Sequence, residues 1–176
     1  MTAVEPSAEF STLETDKGGK YLTFALANEE YGIGILKVKE IIGMMHITSV
    51  PQTPAYVKGV INLRGKVIPI VDLRLKFGMR EIEHTERTCV IVVEINRDSQ
   101  FIMMGIIVDS VSEVLNIKSD EIEPTPPFGI KTNTEYVLGM AKIEGGVKIL
   151  LDIDRVLSQQ ELDVFEPLQN HNSSNS

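Results

Sequence analysis

The hydrophobic pattern of this chain runs with the period of a strand. KYLTFALA, residues 20–27, alternates so that Leu22, Phe24 and Leu26 share one face. TCVIVVEI (88–95) and FIMMGIIV (101–108) are unbroken apolar runs of strand length. The polar stretches ANEE (27–30) and NRDSQ (96–100) are predicted hairpin turns. Ile35, Leu36, Val38, Ile41 and Ile42 fall at spacings that fit a short helix with one apolar face and a second partly exposed; core packing is the default reading of such a stripe, and apolar residues beyond one face would suggest a docking groove. LRLKF (73–77) and IDRVL (153–157) read as helix-like runs that each follow an apolar strand and an acid. Asp72 and Asp152 are the predicted N-caps, because a carboxylate there accepts orphan N–H groups. The pattern predicts a mainly β protein.

One part of that pattern is written twice. Residues 59–73 read GVINLRGKVIPIVDL and residues 139–153 read GMAKIEGGVKILLDI. Each has a leading Gly, a second Gly at the seventh place, an apolar run and an Asp at the fourteenth place, so one hairpin is used twice. Earlier, GIGILKVKEII (32–42) lies on GIIVDSVSEVL (105–115), with Gly32 on Gly105, Val38 on Val111 and Glu40 on Glu113. The offset grows from 73 to 80, which assigns an extra turn to IKSDEIEPTPPFGIKTNTE (117–135) in the second copy. Two copies result, about 20–78 and 88–157. Each is too small for a large core, so two compact barrels or curled sheets with outer apolar faces packed together are expected. Gly65 and Gly145 are the predicted turn residues, since a tight turn often needs φ > 0. The symmetry breaks at Arg64, which has Glu144 as its mate.

Composition narrows the function. The net charge is −8, with four acids against Lys17 in residues 1–17 and three acids without Lys or Arg in residues 158–176. Both ends, 1–17 and 164–176, read as disordered tails around a domain at 18–163. An acidic chain with no basic stripe and no Trp is repelled by phosphate backbones and anionic lipid heads, so neither nucleic acid nor membrane insertion is expected. No apolar run reaches the length of a membrane span and no leader pattern opens the chain, which predicts a cytoplasmic protein. Cys89 is the single cysteine and lies in a Val/Ile run, where a thiol behaves as a small buried hydrophobe. His46, His84 and His171 are far apart, and no metal, phosphate-loop or dinucleotide spacing occurs. No cofactor and no catalytic residue is expected; the competing reading, a small hydrolase built on Asp72 or Cys89, lacks any convergent polar cluster.

What remains is recognition of a macromolecular partner, and here the residues carry a resemblance. EEYGIGILKVKEI, then TPAYVKGVINLRGKVIPIVDLRLKFG, TCVIV and GIIVDSVSEVL closely resemble the CheW family of coupling proteins of bacterial chemotaxis. The match runs from about Lys20 to Leu157. It implies an all-β fold of two pseudo-symmetric five-stranded barrels of the Src-homology type, with short helices, packed on each other. It also implies a non-enzymatic adaptor that joins the cytoplasmic tip of chemoreceptors to the regulatory domain of the histidine kinase CheA, is recruited to membrane-associated receptor arrays and helps build them. The output is flagellar or belongs to another chemosensory pathway. Carried over by motif, the receptor-binding residues are Ile35, Val38 and Glu40 of ILKVKE, Arg64 of NLRG and Val114 of SEVL, with Cys89 and Gly105 on strands aligned with binding positions. Cys89 stands where the family pattern leads us to expect Val. The same domain occurs within CheA and, joined to a receiver, in CheV; the short remaining tails favour a stand-alone adaptor. The motifs place no kinase contact.

Overall fold

Alternating apolar residues become strands when each neighbour supplies a ladder, and the hairpin turns set which neighbours meet. The computed structural model describes residues 17–97, 99–125, 136–158 and 161. The tails expected at 1–17 and 164–176 therefore lie outside the described residues, Lys17 excepted, as do residues 126–135 of the extra segment. β1 (Gly19–Leu26) and β2 (Glu29–Gly34) are joined by Ala27 and Asn28, both at positive φ. That turn matches the right-handed twist of its strands. After a 3-10 turn at Ile35–Lys37 come β3 (Val38–Gly43), β4 (Val57–Leu63), β5 (Lys66–Asp72) and the one-turn helix α1 (Leu73–Lys76). The second half repeats the order with β6 (Cys89–Arg97), β7 (Gln100–Val108), β8 (Ser110–Ile117), β9 (Ile122–Glu123), β10 (Val137–Ile143), β11 (Gly146–Leu151) and a 3-10 turn at Ile153–Arg155. The fold is all-β.

The segment expected to be a short helix is a correction. Only Ile35–Lys37 turn helically, and Val38–Gly43 is a strand with alternating half-buried and exposed residues. β-branched Val38, Ile41 and Ile42 are stiff at χ1 and suit a pleated surface, and the ladder to β6 rewards them, from Val38 opposite Val93 to Ile42 opposite Val90.

The sheets do not follow the sequence copies. One sheet has the order β8-β1-β2-β11-β10-β9, the other β3-β6-β7-β5-β4. The β1–β2 hairpin of the first half is thus inserted among second-half strands, and the β6–β7 hairpin among first-half strands. Each inserted hairpin makes one antiparallel seam (β1 to β8, β6 to β3) and one parallel seam (β2 to β11, β7 to β5). Each sheet curls so that the chain leaving one edge reaches the other. Past β3, Thr48 exchanges two backbone hydrogen bonds with Val60 of β4, at 2.8 and 2.9 Å, and past β8, β9 pairs with β10.

Burial follows from this exchange. The largest cluster lies between the sheets and draws Phe24, Leu26, Tyr31 and Ile33 from one and Ile91, Val93, Met104 and Ile106 from the other. Two smaller clusters fill the curls, Ile61, Ile68, Ile70, Val90, Val92 and Ile107 in one and Tyr21, Ile117, Ala141 and Leu150 in the other. A row of rings, Phe24, Tyr31, Phe77 and Tyr136, with centroids 5.1 to 6.0 Å apart, crosses the boundary. Each buried ring removes a large apolar area from water, which resists sliding of the sheets.

Candidate functional site

The β4–β5 turn presents Arg64 (φ 52°) and Gly65 (φ 89°), and the β10–β11 turn presents Glu144 (φ 51°) and Gly145 (φ 78°). Both are two-residue turns with two left-handed centres, a geometry that favours Asn or Gly first and Gly second. In the first, the Asn62 side chain accepts the Gly65 amide at 2.8 Å. Arg64 is 69% exposed and its guanidinium donates to the Glu40 carboxylate on β3. This ion pair joins the turn at one edge of the sheet to the strand at the other. At the corresponding place in the second half stand Glu113 and Glu144, and among the described residues neither forms an ion pair.

The other residues expected in a receptor groove divide into three groups. Ile35, Val38 and Cys89 sit half-buried on the fringe of the central cluster, as does Val111 of β8. Burial raises the Cys89 thiol pKa, against a smaller pull from the Val111 amide, which favours the protonated thiol over the thiolate. Val114 is 48% exposed on the outer strand β8. Gly105 needs a correction, because it is buried in β7 and offers no surface. A Cβ there would stand 2.6 Å from Ile70 Cδ1 and 2.7 Å from Val90 Cγ1, so its missing side chain lets the core close.

The structure adds two apolar residues to the expected groove. Leu36 is 91% exposed in the 3-10 turn, and Ile41, the repeat mate of Val114, is 45% exposed on β3. The pattern hinted at them as surplus apolar positions, but a helical reading could not say which ones faced outward.

Asp72 and Asp152, the sites of the alternative acid/base reading, are occupied with the backbone. Asp72 accepts the Arg74 amide at 2.9 Å and Asp152 the Asp154 amide at 3.1 Å. Burial raises both carboxyl pKa values; amide hydrogen bonds oppose it at each, while the Asp154 charge adds to it at Asp152. Gly65 and Gly145 sit at their turns with open space where a Cβ would stand, so conformation alone selects them. Among the described residues no three His, Cys, Asp or Glu side chains gather as metal ligands, and no helix is long and apolar enough to cross a membrane.

Other polar groups tie the halves together. Arg74 on α1 grips Asp109, between β7 and β8, through two bonds of 2.7 Å, and Lys37 meets Asp154 at 2.7 Å. Glu161 accepts from Lys76, the Ser158 amide and the Tyr56 hydroxyl. These contacts make rigidity. The exposed Arg64–Glu40 pair can give a partner a charge-assisted anchor, and Leu36, Ile41 and Val114 are uncovered apolar residues open to contact.

The chain is similar to known proteins over most of its length. The family model for the CheW-like domain matches residues 20–161. The chemotaxis protein CheW of Klebsiella aerogenes is 43% identical over 149 residues, 85% of this chain and 87% of that protein. The chemotaxis protein CheW of Bacillus subtilis is 34% identical over 159 residues, 90% of this chain and 99% of that protein. The crystal structure of the scaffolding protein TtCheW from Thermoanaerobacter tengcongensis superposes with a TM-score of 0.71 at 36% identity, covering 82% of this chain and 95% of that one. The matched span and these identities over most of each relative show the family: the chain belongs to the CheW-like domain family.

Proposed function

We propose that this chain is a non-enzymatic adaptor of chemotaxis signalling, which couples the cytoplasmic tip of a chemoreceptor to the regulatory domain of the histidine kinase CheA and so joins membrane-associated arrays. Residues 18–163 act as one binding unit in this reading. The receptor tip contacts Glu40, Arg64 and Val114, with Ile35 and Val38 supporting the surface from beneath. Leu36 and Ile41 supply further apolar contact. Cys89 takes part only through packing.

The observation that carries the proposal is Arg64. Its backbone geometry suits Asn or Gly, it stands well exposed, and its only described side-chain partner is Glu40 across the sheet edge. Turn formation does not call for Arg there, and its mate is Glu144. A planar fork that already holds one carboxylate can still donate to carbonyls or carboxylates of a partner.

The test is a binding titration of the full chain with a receptor cytoplasmic fragment and with the CheA regulatory domain, singly and together. The adaptor reading expects binding to each and a ternary complex. Binding to neither ends it, and binding to one alone reduces the protein to an accessory of that partner.

A further inference from the structure

Two of the ion pairs between the halves, each joining a helical turn to a strand corner, are arranged with opposite polarity. In the first, Arg74 on α1 binds Asp109 at the β7–β8 corner, and Asp109 accepts the Ala27 amide of the β1–β2 turn at 2.9 Å. In the second, Asp154 in the turn after β11 binds Lys37 at the β2–β3 corner and accepts the Asn96 amide near the β6–β7 turn at 2.8 Å. Position 154 is the repeat mate of 74, and Asn96 lies in the second hairpin as Ala27 lies in the first. Each lock therefore joins a helical turn of one half, a strand corner of the other and the hairpin inserted between them. Side-chain exposure is 13% and 23% in the first lock and 34% and 24% in the second.

In both locks the cation comes from the first half and the acid from the second. Pairing a first half with a first half of another molecule would set Arg74 against Lys37 beside the Ala27 amide, with no acceptor. Pairing two second halves would set Asp154 against Asp109. Like charges held together in partly buried sites disfavour those pairings, which is how charged positions select partners elsewhere.

We infer that Arg74, Asp109, Lys37 and Asp154 form a charge code by which each half accepts the other half and rejects a like half from a second copy of this chain. The need follows from the duplication. Each half offers both a hairpin to insert and a sheet to receive one, and backbone ladders alone do not tell the two hairpins apart. The code ensures that every molecule presents one Arg64-bearing face and one Glu144-bearing face.

The test uses the full chain. R74D and D109R each place like charges in the first lock and lower the melting temperature by roughly 6 °C or more, the scale for breaking a partly buried pair in a chain of this size. The double variant R74D/D109R regains part of that loss, because the lock attracts again with inverted polarity, while the Ala27 amide stays without the acceptor that Asp109 gave it. It also erases the code, since the carboxylate at 74 now complements Lys37 and the guanidinium at 109 complements Asp154. Refolded at high concentration, it gives a several-fold larger dimer fraction by light scattering than the unsubstituted chain. Adding K37D and D154K inverts both locks, restores rejection and returns the dimer fraction to the original value. A double variant no more stable than its worse single variant overturns the inference, as does a dimer fraction that is the same in the unsubstituted, double and quadruple chains.

Discussion

Arg64 and Gly105 show how differently two residues of one sheet are constrained. A non-Gly side chain in the left-handed region costs about 1 kcal/mol, and Arg64 bears that cost on an exposed turn. Arg64→Asn is therefore expected to leave the fold intact and raise stability slightly, while receptor binding weakens by about 2 kcal/mol, roughly thirty-fold, if the guanidinium is an anchor. Thermal melts and titration with a receptor fragment read the two effects separately; a destabilised variant with unchanged binding would make Arg64 structural. Gly105→Val is expected to do the reverse. Its side chain would overlap Ile70 and Val90, costing about 1–3 kcal/mol. Measured per folded molecule, its binding to every partner stays close to that of the parent. Arg64 could be singled out in the sequence because its mate is Glu144. Gly105 could not be sorted into core or surface by alignment to a motif, since burial depends on strands that lie far away in sequence.

At the scale of elements, turns were easier to read than seams. The positive φ at Gly65 and Gly145 follows from local chemistry, and so do the carboxylate bonds that Asp72 and Asp152 make at their turns. Exchange of the β1–β2 and β6–β7 hairpins is different, because duplication makes the two host sheets equivalent in pattern and leaves the choice to tertiary contacts such as Arg74 with Asp109. Glu161, beyond the last 3-10 turn, gives a pH prediction. Burial alone would push the Glu161 carboxyl up, but Lys76, the Ser158 amide and the Tyr56 hydroxyl outweigh it and hold the pKa at about 2. The ordinary value is 4.5, so the unfolded chain takes up this proton first as pH falls. The stability that Glu161 contributes is full above about pH 4.5 and lost on acidification toward pH 2. Glu161→Gln is expected to be less stable than the parent at pH 7, with the gap in denaturant midpoint closing between pH 5 and pH 2. A gap independent of pH would mean that packing, not charge, gives Glu161 its effect.

For the whole molecule, the question is what a duplicated adaptor gains from two similar faces. Mirror positions with the same fold and different charge let one chain present distinct surfaces, and the distinction can be tested without disturbing either core. Glu40 on β3 pairs with Arg64, whereas its mate Glu113 on β8 stands opposite a turn bearing Glu144. Glu40→Lys places two cations together at the first turn. Glu113→Lys instead gives Glu144 a partner. Propensity and solubility effects are alike in the two strands, so they cancel in the comparison. Under the proposed function, Glu40→Lys weakens receptor binding and Glu113→Lys leaves it near the parental value. Part of the Glu40→Lys loss recedes as salt rises, because repulsion between exposed charges is screened once the Debye length shrinks below about 8 Å. Titrations of each variant with the receptor fragment and the CheA regulatory domain, at low and high salt, read this out. Equal loss of receptor binding in both variants would refute an asymmetric receptor face, and loss confined to Glu113→Lys would move the receptor to the second half, leaving Arg64 and Glu40 for the kinase.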